Sequence, residues 1–278
     1  MAFKSAKYGG SFHLIAPPDM FRGTPPIRRS ASVIIPFGGG RDYLKRLSHC
    51  IRSVRWQQQV DHKNIEVVLV YLHSSSSKGW SEEKDQLDAL VDGKNVTIVE
   101  AAKDYEHFPL CLARNMGARV AQNETLVFVD ADTVLDPEFL ARSLRQRGKL
   151  VTCWFSYLGK GHPPITGAGC VRKLASQGMI PRAAYGGGIV APRKAVRKLR
   201  GFDEAYDRAW GADDNDMVDR LIGDGLEWYN MTMLERVVNL HQFHPSVVNE
   251  RDPGTVSNRA RYYNLQTLVR NDERWGQP

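Results

Sequence analysis

LVFVDADTV, from Leu126 to Val134, is the stretch on which the fold turns. Leu126 to Val129 carries no polar residue, the composition of a strand covered on both faces, and it runs straight into two carboxylates. In parallel sheets flanked by helices, ligands gather just beyond the carboxyl ends of the strands, which is where Asp130 and Asp132 fall. A spacing of two in extended chain turns both side chains to one side, and Ala131 between them adds little bulk. Carboxylates so close repel one another unless a metal ion, a proton or a basic side chain lies between them. A strand followed by an Asx turn is the structural alternative, since Asp132-Thr133 and Asp136-Pro137 both have turn chemistry.

Outward from this stretch, Ser32 to Phe37 (SVIIPF) reads as a strand ended by Gly38-Gly39-Gly40. Leu44, Leu47, Ile51 and Val54 then recur at helical spacing over Asp42 to Val54. Ile65 to Leu72 is predicted as a second strand, Asn95 to Glu100 as a third and Cys111 to Ala121 as a helix, which makes Leu126 to Val129 the fourth strand. Strands alternating with helices imply parallel crossovers and a doubly wound α/β sheet. The texture changes near residue 150. Leu150 to Tyr157 is expected as one strand, Gly186 to Ala191 as a short strand after a glycine turn, Asp214 to Gly223 as a helix and Asn258 to Val269 as a terminal helix. Residues 1–30, with Gly9-Gly10, Pro17-Pro18 and Pro25-Pro26, lack periodicity and read as an N-terminal arm.

With 278 residues, of which 42% are hydrophobic, the chain has enough apolar surface for a substantial core. No apolar run approaches the roughly 20 residues that span a bilayer, and the first thirty residues lack the order of a secretory signal. Cys50, Cys111, Cys153 and Cys170 show no CxxC spacing, so neither a zinc site nor a disulfide framework is indicated. A cytoplasmic protein, or one lying against a membrane surface, is the expectation. The net charge of +7 favours an anionic ligand or partner. Much of it sits in Arg142 to Lys149 (RSLRQRGK) and Arg193 to Arg200 (RKAVRKLR), expected as solvated helical faces, with a phosphate or nucleic-acid role as the lesser reading.

Four phrases in order now resemble one family, the inverting family 2 glycosyltransferases of the GT-A fold and their relatives with a galactosyltransferase-like carboxyl half. They are SVIIPF, ARNMGARVA (Ala113 to Ala121) running into VFVDADTVLDPEFL, GFDEAYDRAWGADDNDMVDRL (Gly201 to Leu221), and NLHQFHP (Asn239 to Pro245). Asp213 stands where that family more often has Glu. The resemblance implies a GT-A domain over 31–250, with a nucleotide-binding half at 31–150 and an acceptor-binding half at 151–250. A C-terminal helix and tail, 251–278, follow. It also implies a nucleotide-diphosphate sugar as donor and a hydroxyl acceptor, glycan or glycolipid.

Chemistry and resemblance together assign roles. A departing diphosphate accumulates negative charge, which a divalent ion offsets. Asp132 is assigned as the direct metal ligand, Asp130 as a contact to ribose or metal-bound water, and His241 as a further ligand. Carboxylates with an imidazole favour Mn²⁺ over Mg²⁺. His244 is left between touching the phosphates, ligating in place of His241 and capping a loop. Asp214 is the candidate base for the acceptor hydroxyl, although Asp213-Asp214-Asn215-Asp216 also suits a helix start. Asp213 is placed on acceptor hydroxyls, Trp210 as a stacking platform and Gly211 as room for a sugar.

On the donor side, Gly187 and Gly188 of the glycine turn at 186–188 are expected to let backbone approach the sugar. Pro36, Phe37 and Ala131 are donor contacts by analogy. Arg114 meets either a phosphate or neighbouring carboxylates. Where the family's second strand usually ends in Asp-Asp-Gly-Ser, this chain has Tyr71-Leu72-His73-Ser74. The base is then left to Tyr71 or His73, or to Asp104 or Glu100 after the third strand. UDP is the default carrier, with GDP and dTDP open. A phage-type enzyme acting on hydroxymethylated DNA bases, and a non-catalytic nucleotide- or nucleic-acid-binding protein, are the alternatives.

Overall fold

In the computed structural model, which describes residues 25–73, 80–91, 95–102, 105, 107–176, 185–245, 251–264 and 267–278, order begins at the first predicted strand. The elements run β1 (Ala31–Phe37), α1 (Arg41–Arg55), β2 (Ile65–His73), α2 (Trp80–Val91), β3 (Val96–Ala102), α3 (Leu110–Val120) and β4 (Thr125–Phe128). There follow β5 (Thr133–Val134), α4 (Phe139–Arg145), β6 (Leu150–Thr152), β7 (Phe155–Tyr157), α5 (Ala168–Ser176), β8 (Ile189–Pro192) and α6 (Arg193–Lys198). The last are α7 (Asp213–Gly223), β9 (Trp228–Asn230), α8 (Met231–Glu235), β10 (Asn239–His241) and α9 (Pro253–Asn264).

Among these, seven strands form one sheet in the order β3-β2-β1-β4-β8-β6-β9. The pairs from β3 to β4 are parallel, β8 runs antiparallel to both its neighbours, and β9 is parallel to β6. The sheet therefore crosses residue 150, drawing strands from both halves of the chain. Alternate residues of the central strands enter opposite layers. Val33, Ile35 and Phe37 meet Leu44, Leu47 and Ile51 of α1, whereas Ile34 faces Ala113 and Met116 of α3. Both faces are thus covered, which is why these strands carry unbroken apolar runs. Each such side chain contributes about 1.5–3 kcal/mol of burial energy. Gly117 lets α3 lie close to the sheet, since a Cβ there would sit 2.4 Å from Ile34 Cγ2.

A second, three-stranded sheet, β5-β10-β7, stands at the carboxyl tip of β4. The strand expected over Leu150 to Tyr157 is in fact β6 and β7, one in each sheet. Between them Cys153 N donates to Gly188 O at 3.1 Å and Trp154 N to Thr232 Oγ1 at 2.9 Å, which ends the β6 ladder and turns the chain. The terminal helix also differs from expectation, starting at Pro253 and ending at Asn264. Asp252 Oδ2 accepts from Thr255 N at 2.9 Å as its cap, and Pro253 occupies the first turn, where a missing N–H costs nothing.

Residues 267–278 contain no helix and clip onto the Gly201–Glu204 segment instead. Asn271 Nδ2 donates to Arg200 O at 2.7 Å, Glu204 N donates to Asn271 Oδ1 at 3.1 Å, and Arg119 Nη1 donates to the carbonyl of the buried Trp275 at 2.8 Å.

Candidate active site

The tip of β4 is where the predicted residues meet. β10 pairs antiparallel with β5 so that His241 stands opposite Thr133, the residue after Asp132. His241 Nε2 lies 3.5 Å and His244 Nε2 3.1 Å from Asp132 Oδ2. One potential ligand atom from each of the three falls within 4.8 Å of the others. Asp132 Oδ1 and His241 Nδ1 are buried without a hydrogen-bond partner. Buried polar atoms are rarely left so, and the converging Asp132 Oδ2, His241 Nε2 and His244 Nε2 give the mixed oxygen and imidazole donor set that fits a divalent ion such as Mn²⁺.

Gln242, between the histidines, secures this corner. Its N–H and its Nε2 donate to Asp132 O at 2.9 and 3.1 Å, and Nε2 donates also to Arg46 O in α1 at 3.0 Å. The His241 ring packs between Phe155 and Tyr157, with centroids 5.1 and 4.6 Å away. Burial alone would raise the Asp132 carboxyl, but its hydrogen bond with His244 and the charges of His241 and His244 outweigh burial and hold it below the usual range. The same hydrogen bond raises His244 above the ordinary imidazole value.

Beside this group lies a second one, built on a buried cation. Arg114, on α3 and only 2% exposed, donates from Nη2 to Asp130 Oδ1 at 2.8 Å and from Nη1 to Asp213 Oδ2 and Asp214 Oδ1, each at 2.7 Å. Of the two readings for Arg114, this structure shows the carboxylate one. Asp130 accordingly turns toward Arg114 and stands outside the Asp132–His241–His244 group. Burial pushes Asp214 up to about 7, with Asp213 and Asp130 adding to the rise and Arg114 opposing it. Asp130 is raised by the same balance of burial against Arg114. Even so, 22% of the Asp214 side chain stays exposed, and its Oδ2 is not among the atoms Arg114 engages.

Local sequence explains how Arg114 is presented. Asn115, its neighbour, exchanges two bonds with Phe202, Nδ2 to O and N to Oδ1, both at 2.8 Å, which pins the Gly-Phe-Asp-Glu segment to α3. Gly201, at φ +71, has no room for a side chain beside Asn115. Asp207 caps the same helix, accepting from Cys111 N at 2.7 Å and Leu112 N at 2.9 Å. α7 has no side-chain cap at Ala212, so Asp213 and Asp214 serve Arg114 in place of capping.

The remaining candidates are distributed unevenly. Trp210, 52% exposed, and Gly211, at φ +100, lie just before α7 and its two acids. Gly187 and Gly188 are buried: a Cβ on the first would meet Cys153 O at 2.6 Å, and one on the second Phe139 Cζ at 2.9 Å. The glycine that borders the acids is Gly186, whose Cβ would fall 2.9 Å from Asp214 Oδ2 and 3.5 Å from Asp130 Oδ2. Pro36, Phe37 and Tyr71 are core residues. The Tyr71 and Phe37 rings pack 5.4 Å apart, and at 1% exposure Tyr71 presents no ring face to solvent. Ala131 is buried beside Asp130. Asp104 and the His73 side chain lie outside the described residues.

The first basic run departs from the solvated face expected, whereas in the second Lys194, Arg197 and Lys198 are exposed along α6. Arg142 is fully buried and paired with Glu138 and Glu235, each at 2.6 Å, while Lys149 pairs with Glu227. Arg193 and Arg197 donate to the carbonyls of Ala121 and Arg119, and Lys198 pairs with Asp224. Asn115, Gln242 and Arg46 were not singled out by the sequence, whereas Gly186 was, as the first of three glycines in the turn expected near the donor sugar.

Two family models match the chain in sequence. Residues 32–147 match glycosyl transferase family 2, and residues 175–244 match the family described as the N-terminal domain of galactosyltransferase. No curated protein matches in sequence. In fold the chain is similar to S. aureus TarS 1-349 in complex with UDP-GlcNAc, at 12% identity and a TM-score of 0.55, covering 78% of this chain and 59% of that one. It is similar to the mannosyltransferase PcManGT from Pyrobaculum calidifontis in complex with GDP-Man and Mn²⁺, at 18% identity and 0.53, covering 86% and 64%. GalNAc-T7 with UDP, GalNAc and Mn²⁺ is a third, at 17% identity and 0.57, covering 84% and 47%. The chain thus spans about half to two thirds of the length of these neighbours. Two glycosyltransferase family models thus match in the order of the motifs, one in each half of the chain, on a fold shared with these GT-A enzymes.

Proposed function

We propose that the chain transfers a sugar from a nucleotide-diphosphate donor to a hydroxyl acceptor, with inversion and with dependence on Mn²⁺ or Mg²⁺. The observation that carries this reading is the side-by-side arrangement of Asp132, His241 and His244 with the group Arg114, Asp130, Asp213 and Asp214. A divalent ion bound by Asp132, His241 and His244 supplies positive charge against the diphosphate of the donor. Asp130 is left to the ribose. Asp214 takes the proton of the acceptor hydroxyl at Oδ2, while its Oδ1 is oriented by Arg114. Asp213, held by the same guanidinium, and the exposed Trp210 offer a polar edge and an apolar face to the acceptor.

UDP is the first choice of carrier and GDP the second, since the neighbours bind UDP, UDP-GlcNAc and GDP-Man. A glycan or glycolipid acceptor is favoured over modified DNA, because most cations in the two basic runs are engaged by carbonyls and carboxylates. The retained acids argue against a purely binding role. The test is a hydrolysis panel of UDP-, GDP- and dTDP-sugars with Mn²⁺, Mg²⁺ or EDTA. Metal-stimulated release of one nucleotide supports the reading, and silence across the panel overturns it.

A further inference from the structure

Arg46 differs from Arg114, the other cation beside the site. Arg114 is tied to three carboxylates, yet among the described residues no carboxylate pairs with Arg46. Its guanidinium lies over the Tyr43 ring, 4.1 Å from the centroid, and Nη1 reaches Phe243 O only at 3.5 Å. Nε is buried and has no partner. The residue is nevertheless fixed in place, because one amide, Gln242 Nε2, donates to the carbonyls of both Arg46 and Asp132, at 3.0 and 3.1 Å. The Tyr43 ring stands 6.0 Å from that of His244, and the Arg46 charge acts on both Asp132 and His244.

Such a cation next to a cation site is repulsive until an anion arrives. Within the Asp132–His241–His244 corner, apart from the three carboxylates that share Arg114, Asp132 supplies one negative charge against two from a divalent ion and one from Arg46, a local surplus of two positive charges. A neutral hydroxyl or a single carboxylate does not balance that surplus, whereas a diphosphate does. We infer that Arg46 grips the diphosphate of the donor from the α1 side, beside His244. Its planar fork suits phosphate oxygens, and the Tyr43 face beneath holds it in readiness. The inference rests on the proposed nucleotide-diphosphate donor.

Inorganic pyrophosphate is the probe, since it carries no base or sugar. It is titrated calorimetrically, with MnCl2 present, into the unaltered protein, Arg46→Gln and Arg46→Lys, and MnCl2 alone is titrated into each. Arg46→Gln is expected to bind pyrophosphate about 10- to 100-fold more weakly, the usual effect of losing hydrogen bonds to a charged group. It should bind MnCl2 alone at least as tightly as before, a like charge having been removed. Arg46→Lys, with charge but no fork, should fall between. Pyrophosphate binding by Arg46→Gln within about twofold of the unaltered protein overturns the inference and leaves the proposed function standing. Equal loss of MnCl2 binding also overturns it, since Arg46 would then be supporting the Asp132 site itself. If the unaltered protein fails to bind pyrophosphate with MnCl2, the diphosphate donor falls and the inference with it.

Discussion

Arg114 and Asp214 lie 2.7 Å apart, guanidinium to carboxylate, and the same guanidinium holds Asp130 at 2.8 Å from the end of β4. One buried cation therefore joins the acid at the tip of β4 to the two acids at the start of α7. A change on either side is felt through it.

Asp214→Asn should retain nucleotide binding and lose transfer, with kcat falling on the order of 10²- to 10⁴-fold. The base acts as the carboxylate, and burial pushes Asp214 up to about 7. The rate of the unaltered protein should therefore rise with pH through about 7 and level off above it. A pH profile of kcat/KM checks this. Full activity in the Asn variant would remove the base assignment.

Arg114→Gln leaves three neighbouring carboxylates without their cation. Breaking such a buried pairing costs about 3–5 kcal/mol, so the thermal midpoint should drop by roughly 10 °C. Arg114 opposes the rise of Asp214, so its loss should also move the ascending limb of the rate profile to higher pH. Calorimetry and the pH profile are separate readouts, and an unchanged midpoint would mean that the pairing contributes little.

His241→Ala and His244→Ala should each weaken Mn²⁺ binding by at least about 10-fold, and Asp132→Asn more, with EDTA reproducing the loss of activity. Titration of MnCl2 followed by electron paramagnetic resonance measures this directly. Unaltered affinity in the His244 variant would return that residue to a phosphate contact or a loop cap.

Gly186→Ala and Gly187→Ala should separate function from stability. The first places a methyl 2.9 Å from Asp214 Oδ2, so turnover should fall while the fold persists. The second drives a methyl to 2.6 Å from Cys153 O and should cost about 1–3 kcal/mol of stability. Urea midpoints and kcat for the two variants form the check, and reversed effects would reassign the glycine that borders the acids.

The alternation of helices and strands in the first half was legible because each element buries a wide apolar face. Val33 to Phe37 and Leu126 to Val129 owe their composition to cover on both sides. Asp132, His241 and Asp214 were also named as candidates from their chemistry and the resemblance. That His241 meets Asp132 was expected only through the resemblance, because it depends on the β10–β5 register, a pairing of two short strands with no long pattern behind it. Tyr71 illustrates a different limit. Its place at a strand end pointed to a base, but period two sends it into the same layer as Leu69. The break at Cys153-Trp154 is set by bonds to Gly188 and Thr232, far along the chain. Asp252-Pro253, by contrast, is a helix-start signal that the sequence did carry.

The link between Arg119 and Trp275 joins positions 156 apart, and it seals the layer behind Arg114 and Asn115. A closure of that span follows the local contacts in folding, since its chain entropy is lost before the contact is gained. The packing behind Arg114 should thus be completed after the local elements have formed.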